Sequence, residues 1–170
     1  MLNILRRRAG EKRIAEALYD AIVARSREPR FYTELGVSDT FDGRFDLQVL
    51  HGWLVLDALR AQGLEDIEQR LTQMLFTGFE EALRDQGAGD MGIGRRSKAM
   101  TTALFGRIQG YRAAGADETD LAQALERNLY RGAAGKNDCA RRVAHYITKT
   151  QQALNNTDLS AGAVPFASLA

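Results

Sequence analysis

Residues 42–61 read DGRFDLQVLHGWLVLDALRA, and the placement of apolar side chains in this stretch decides the fold. Phe45, Leu47, Val49, Leu50, Trp53, Leu54, Val55, Leu56 and Leu59 show none of the strict alternation of a half-buried strand. Projected at about 100° per residue, they cover most of a helical cylinder. Asp46, Asp57 and Arg60 fall on one narrow strip, and Arg44, Gln48 and His51 gather on the other side. A helix apolar on both flanks of a polar strip has neighbours on several sides, so this segment is expected at the centre of a bundle.

Outward from it, the helical pattern repeats. The periodicity predicts six helices near residues 9–27, 42–61, 65–86, 94–114, 117–131 and 138–155. In 65–86, Ile67, Leu71, Met74, Leu75 and Phe79 form one stripe, with Glu65, Glu68, Arg70, Glu80 and Glu81 mostly off it. The only prolines are Pro29 and Pro165, so nothing between them interrupts a helix by removing a backbone donor. Glycines mark the junctions at Gly36, Gly63, Gly115 and Gly132 to Gly135. Asp117 and Glu118 suit the positive end of a helix dipole. The expectation is an all-α, single-domain bundle of about six helices over residues 1–156, followed by a loose tail at 157–170 (TDLSAGAVPFASLA).

At 170 residues, with 45% apolar and 26% charged side chains, the chain has the composition of one globular domain. A single cysteine, Cys139, forms no internal disulfide and no CxxC site, and points to a reducing cytoplasm. Two histidines, His51 and His145, leave little for a multi-histidine metal centre. The three crowded acids of DTFDGRFD (Asp39 to Asp46) do not fit an EF-hand: with Gly43 at the turn position, the twelfth residue is Val49 and not Glu. Thr40 or Asp42 is expected to cap a helix there, leaving Arg44 to bridge Asp39 or Asp46. GAGDMGIG (Gly87 to Gly94) follows a helix, where a Rossmann loop needs a strand, and ends in Gly94-Arg95-Arg96, where a P-loop needs Gly-Lys-Ser/Thr. It reads as a corner between helices, with Gly87 ending one and Asp90 capping the next. No nucleophile motif accompanies His51, which is expected as a hydrogen-bonded histidine at a helix contact, with a general base or a pH switch as the functional alternative. No cofactor is expected.

Charge is nearly balanced, 23 Lys+Arg against 22 Asp+Glu, but it is unevenly placed. Met91 to Ala116 holds no acid and carries Arg95, Arg96, Lys98, Arg107 and Arg112. Arg131, Lys136, Arg141 and Arg142 form a second basic stretch, and Arg6, Arg7, Arg8, Lys12 and Arg13 a third, where Leu2, Ile4 and Leu5 add a short apolar edge. A basic face of this kind meets lipid headgroups, RNA or an acidic partner; the competing reading is a solvated face paired with its neighbours.

Two blocks carry a specific resemblance. FYTELGVSDTFDGRFDLQVLHGWLVLDALRAQGLE (31–65) and GAGDMGIGRRSKAMTTALFGRIQGY (87–111) resemble the ubiquinol–cytochrome c chaperone family of respiratory complex III assembly factors, over roughly residues 31–132. The resemblance implies an all-helical, non-enzymatic protein that binds cytochrome b or another complex III subunit, newly made or unassembled. It also implies the family's mitochondrial association with the ribosome, and an alphaproteobacterial-type member because no long presequence is evident. The implied location is the cytoplasm, peripheral to the inner membrane in contact with anionic lipid, or the matrix side in a mitochondrion; DNA is not an expected partner. Family-like positions are Asp39, Thr40, Asp42, Gly43, Arg44, Phe45, His51 and Trp53, then Asp90, Gly94, Arg95, Lys98, Phe105, Gly106 and Arg107. With Arg96 from the basic run, the candidate partner-binding residues are Asp39, Asp42, Arg44, His51, Trp53, Asp90, Arg95, Arg96, Lys98 and Arg107. Gly43, Gly94 and Gly106 are expected to permit tight turns or close crossings. Trp53 is either an anchor exposed beside Asp46, Asp57 and Arg60, or covered by the first helix or the tail. The competing function is an RNA- or ribosome-binding module built on basic helices 94–114 and 131–142; a small helical enzyme acting on an apolar anion is a further one, and it needs a pocket around His51.

Overall fold

The computed structural model describes the backbone of residues 2–86 and 90–169, and side chains of residues 6–86 and 94–169. Among these residues the regular structure is entirely helical: α1 (Leu2–Ser26), α2 (Pro29–Thr33), α3 (Phe41–Ala61), α4 (Glu65–Asp85), α5 (Asp90–Ala114), α6 (Glu118–Asn128) and α7 (Asn137–Asn155), then a 3-10 turn at Leu159–Ala161. The six expected helices are present, and α2 is an added five-residue turn. Pro29 does end the first helix, and then opens α2 at its first position, where a missing N–H costs nothing.

α3 is the hub. It packs against α1, α4, α5 and α7, while α6 and α7 pair as a hairpin and α5 bridges α4 and α6. Fourteen of its 21 residues are buried, as its all-round apolar pattern requires. Thr40 caps it, its hydroxyl accepting from the Gly43 N–H at 3.2 Å, and Asp117 caps α6 by accepting from Thr119 and Asp120. Gly43 is required by space: a Cβ there would collide with the carbonyl of Ser38, where the 34–40 loop crosses the start of α3. Gly94 and Gly106 are different, for no described atom lies within 4 Å of a Cβ placed at either, so neither marks a close crossing.

Two boundaries differ from expectation. α5 begins at Asp90, four residues early, so the glycines at 92 and 94 are helical. The expected roles of Gly87 as helix terminator and of the Asp90 side chain as cap lie outside the described residues, as do the side chains of Leu2, Ile4 and Leu5. The second difference is a correction: residues 157–169 are not a loose tail. Leu159 is fully buried and Leu169 is 6% exposed. Arg25 and Arg30 donate to the carbonyls of Ala167 and Leu169, and the Ala167 N–H donates to Thr150 Oγ1 at 3.2 Å. Low charge and absent period hide this docking, because extended segments held through their backbone carry no repeat.

Candidate functional site

The polar strip of α3 noted in the sequence is where the arginines of α5 land. Asp46 is fully buried. Its Oδ1 lies 2.7 Å from Arg107 Nε, a charge contact outside hydrogen-bond geometry, and its Oδ2 accepts from Arg131 Nε and Nη2 at 3.1 and 3.0 Å. Arg131 also reaches Asp42 Oδ2 at 2.7 Å, tying the α6–α7 connection to the start of α3. Its φ of 53° is in the left-handed region, strained for a residue with a Cβ and held there by these contacts. Burial pushes the Asp46 carboxyl above its ordinary pKa, against the pull of the two guanidiniums. Arg107 further lies over the Phe45 ring, 5.5 Å from its centre.

Three turns along the strip, Asp57 accepts from Trp53 Nε1 at 2.7 Å and from Arg112 Nε at 2.9 Å. Trp53 is 2% exposed and stacks on Tyr111 of α5, ring centres 5.1 Å apart. It is therefore not a rim anchor, and Tyr111 of α5 supplies part of its cover. Its chemistry is structural: a large apolar body in the core, with the indole N–H satisfied by Asp57.

His51 is likewise buried, with no exposed surface. Nδ1 lies 2.8 Å from the Leu47 carbonyl, which can only accept, so Nδ1 carries the proton. Nε2 is then free to accept from the Tyr146 hydroxyl at 3.0 Å, whose oxygen in turn accepts from Arg25 Nε at 3.1 Å. Burial draws the imidazole pKa down to about 3, so the ring stays neutral through the physiological range and is no switch there. Phe31, Tyr146 and Phe166 surround it edge-on at centre distances of 5.2 to 5.8 Å. It is the hydrogen-bonded histidine of a helix contact.

Of the ten candidate residues, then, His51 and Trp53 are buried, Arg107 is largely covered, and all three serve the packing. Asp39 and Arg44 pair with each other on the surface at 2.8 Å, and Asp42 is held by Arg131. The Asp90 side chain is outside the described residues. Arg95, Arg96 and Lys98 remain: all three are exposed and have no ion-pair partner among the described residues. Further along the same helix stands Phe105, 52% exposed and the one large apolar side chain so open among the described residues. Its ring is 6.1 Å from that of half-buried Phe76 on α4. Cations without an ion-pair partner among the described residues and one solvent-open aromatic ring, Phe105, thus share α5. Sequence reading names Phe105 only as a family-like position; its exposure depends on α4 and α6 leaving that side of α5 open. Among the described residues no cluster of three His, Cys, Asp or Glu is arranged to hold a metal, and none of the helices is long and apolar enough to cross a membrane.

This arrangement has known relatives. The family model of the ubiquinol-cytochrome C chaperone matches residues 33–164. The chain belongs to that family. The match extends past the blocks at 31–132 and takes in α7 and part of the docked segment, which is consistent with a single packed unit. Among solved structures, the chaperone chain is similar to the crystal structure of the Cbp3 homolog from Brucella abortus, at a TM-score of 0.88 and 28% identity, covering 99% of this chain and 97% of that one. No curated protein sequence matches it significantly. The fold expected from the periodicity is thus an established one for this chaperone family.

Proposed function

We propose that this chain is an assembly chaperone that holds cytochrome b, newly made or unassembled, during biogenesis of the ubiquinol–cytochrome c reductase complex. Family membership supports the assembly role, and the observation that carries the client side is the exposed Phe105 on the helix bearing Arg95, Arg96 and Lys98. A membrane subunit outside its complex presents apolar surface next to anionic headgroups. An exposed aromatic ring on a helix whose earlier turns carry exposed cations supplies a partner for each. The protein then works by transient burial of apolar surface at the membrane edge and makes or breaks no bonds.

The RNA-binding alternative loses ground on its own residues. Arg107, Arg112 and Arg131 are spent on Asp46, Asp57 and Asp42, which takes them from the two basic stretches and leaves Arg95, Arg96 and Lys98 as the exposed cations of α5. Affinity capture from detergent-solubilised membranes tests the proposal: cytochrome b is expected with the wild-type protein and reduced with Phe105→Ser. Recovery of ribosomal RNA or soluble proteins without cytochrome b overturns it.

A further inference from the structure

Residues 163–169 have no regular secondary structure, yet they are held at defined points. Main-chain atoms make the polar contacts: the Ala167 carbonyl accepts from Arg25 Nη2 at 2.5 Å, its N–H donates to Thr150, and the Leu169 carbonyl accepts from Arg30 Nη1 at 2.8 Å. Two side chains supply the apolar anchors, three residues apart. Phe166 packs edge-on against His51, ring centres 5.2 Å apart, and Leu169 is buried. The outer side of the segment stays open, with Val164 through Ala167 only partly covered.

The receiving groove lies between α1, α2 and α7, and its residues also bond to one another. Arg25 is set by its bond to the Tyr146 hydroxyl and lies over the Phe31 and Tyr146 rings at 5.6 and 5.0 Å. Arg30 is fixed by two bonds to Glu34. The floor of Phe31, His51 and Tyr146 is a hydrogen-bonded aromatic cluster in its own right. Donors aimed at backbone carbonyls, an aromatic floor and two apolar seats are the means by which proteins take extended peptides with little demand on sequence.

We propose that this groove is a binding site for an extended, uncharged apolar peptide segment, filled in the resting protein by residues 164–169, and that a client segment with large apolar residues three apart displaces them. The client half rests on the chaperone reading above; the groove's capacity for such a peptide does not.

The test uses full-length protein and a fluorescent peptide of residues 162–169. In the wild type the tethered segment competes at an effective concentration on the order of millimolar, so the added peptide binds poorly. The full-length double variant Phe166→Ala/Leu169→Ala, checked for native helicity and a cooperative melt, is expected to bind it at least roughly tenfold more tightly. Adding Thr150→Val is expected to lower that affinity severalfold, and a peptide with Ala at both anchors is expected not to bind. Equal binding of the anchored and anchorless peptides overturns the proposal. Should the double variant not fold, hydrogen exchange on the wild type decides: exchange of the Ala167 amide by local opening, well ahead of α3 amides, supports a displaceable segment, and exchange only by global unfolding refutes it. Peptide binding that fails to compete with captured cytochrome b keeps the groove and removes the client from it.

Discussion

The two halves of α5 have nearly the same sequence character, basic and free of acids from Met91 onward, and the structure gives them opposite tasks. From Leu104 to Ala114, Leu104, Ile108 and Tyr111 enter the core, and Arg107 and Arg112 neutralise Asp46 and Asp57 on α3. From Gly94 to Ala103 the helix leans on α4 through Ser97 and Glu80, its Met100 only half buried, and its cations face outward without partners among the described residues. What separates the halves is not on α5 at all. It is the position of two carboxylates on the central helix, which makes one pair of arginines part of the fold and leaves the other cations to meet something else.

The largest effect expected from this contrast is at its buried end. Asp46→Ala strands Arg107, leaves Arg131 with Asp42 alone, and should remove about 3–5 kcal/mol of unfolding free energy in denaturant titration, whereas Arg95→Ala should fall within about 0.5 kcal/mol of wild type. Equal losses would erase the distinction between the halves. At the exposed end, Arg95→Glu/Arg96→Glu/Lys98→Glu should leave the melt unchanged while weakening binding to vesicles rich in anionic lipid. At about 1 kcal/mol for each cation removed, the loss is at least roughly 100-fold in sedimentation, and added salt should mimic it in the wild type.

Acid separates the buried polar groups from the surface cations in another way. His51 is held neutral with its folded pKa near 3, below the ordinary value of 6.5, so the unfolded chain binds the proton first. Stability is complete above pH 6.5 and falls as pH drops below it, by about 2 kcal/mol between pH 7 and 5. In His51→Gln that share of the pH dependence should vanish, whatever the variant's absolute stability. The smallest expected change is in Phe105→Ser, which should alter the melt by under about 0.5 kcal/mol, since the ring is half in solvent, and still reduce capture of client.

Helices were legible wherever one face is apolar, as in α4, or every face, as in α3; the absence of proline between 29 and 165 made their lengths readable too. The polar strip of Asp46, Asp57 and Arg60 was visible, but not what it faces. Pairings such as Asp46 with Arg131 span 85 residues, and no local pattern records them. For the same reason Trp53 and Arg107 read as candidates for a surface: a tryptophan beside charges looks alike whether Tyr111 covers it or water does. The segment after α7 escaped because main-chain recognition leaves no periodic trace. His51 was legible as a bridge between helices, since a lone histidine without a nucleophile has little else to do, but as a partner-binding candidate it fails with Trp53, because nothing local records its full burial.

Site-specific photocrosslinking tests the client surface most directly. With a photoreactive residue at position 105, and a control at exposed position 145 on α7, irradiation of membranes from respiring cells should give a cytochrome b adduct from 105 and none from 145. No adduct at 105, or equal adducts from both positions, would contradict a chaperone that meets its client on α5.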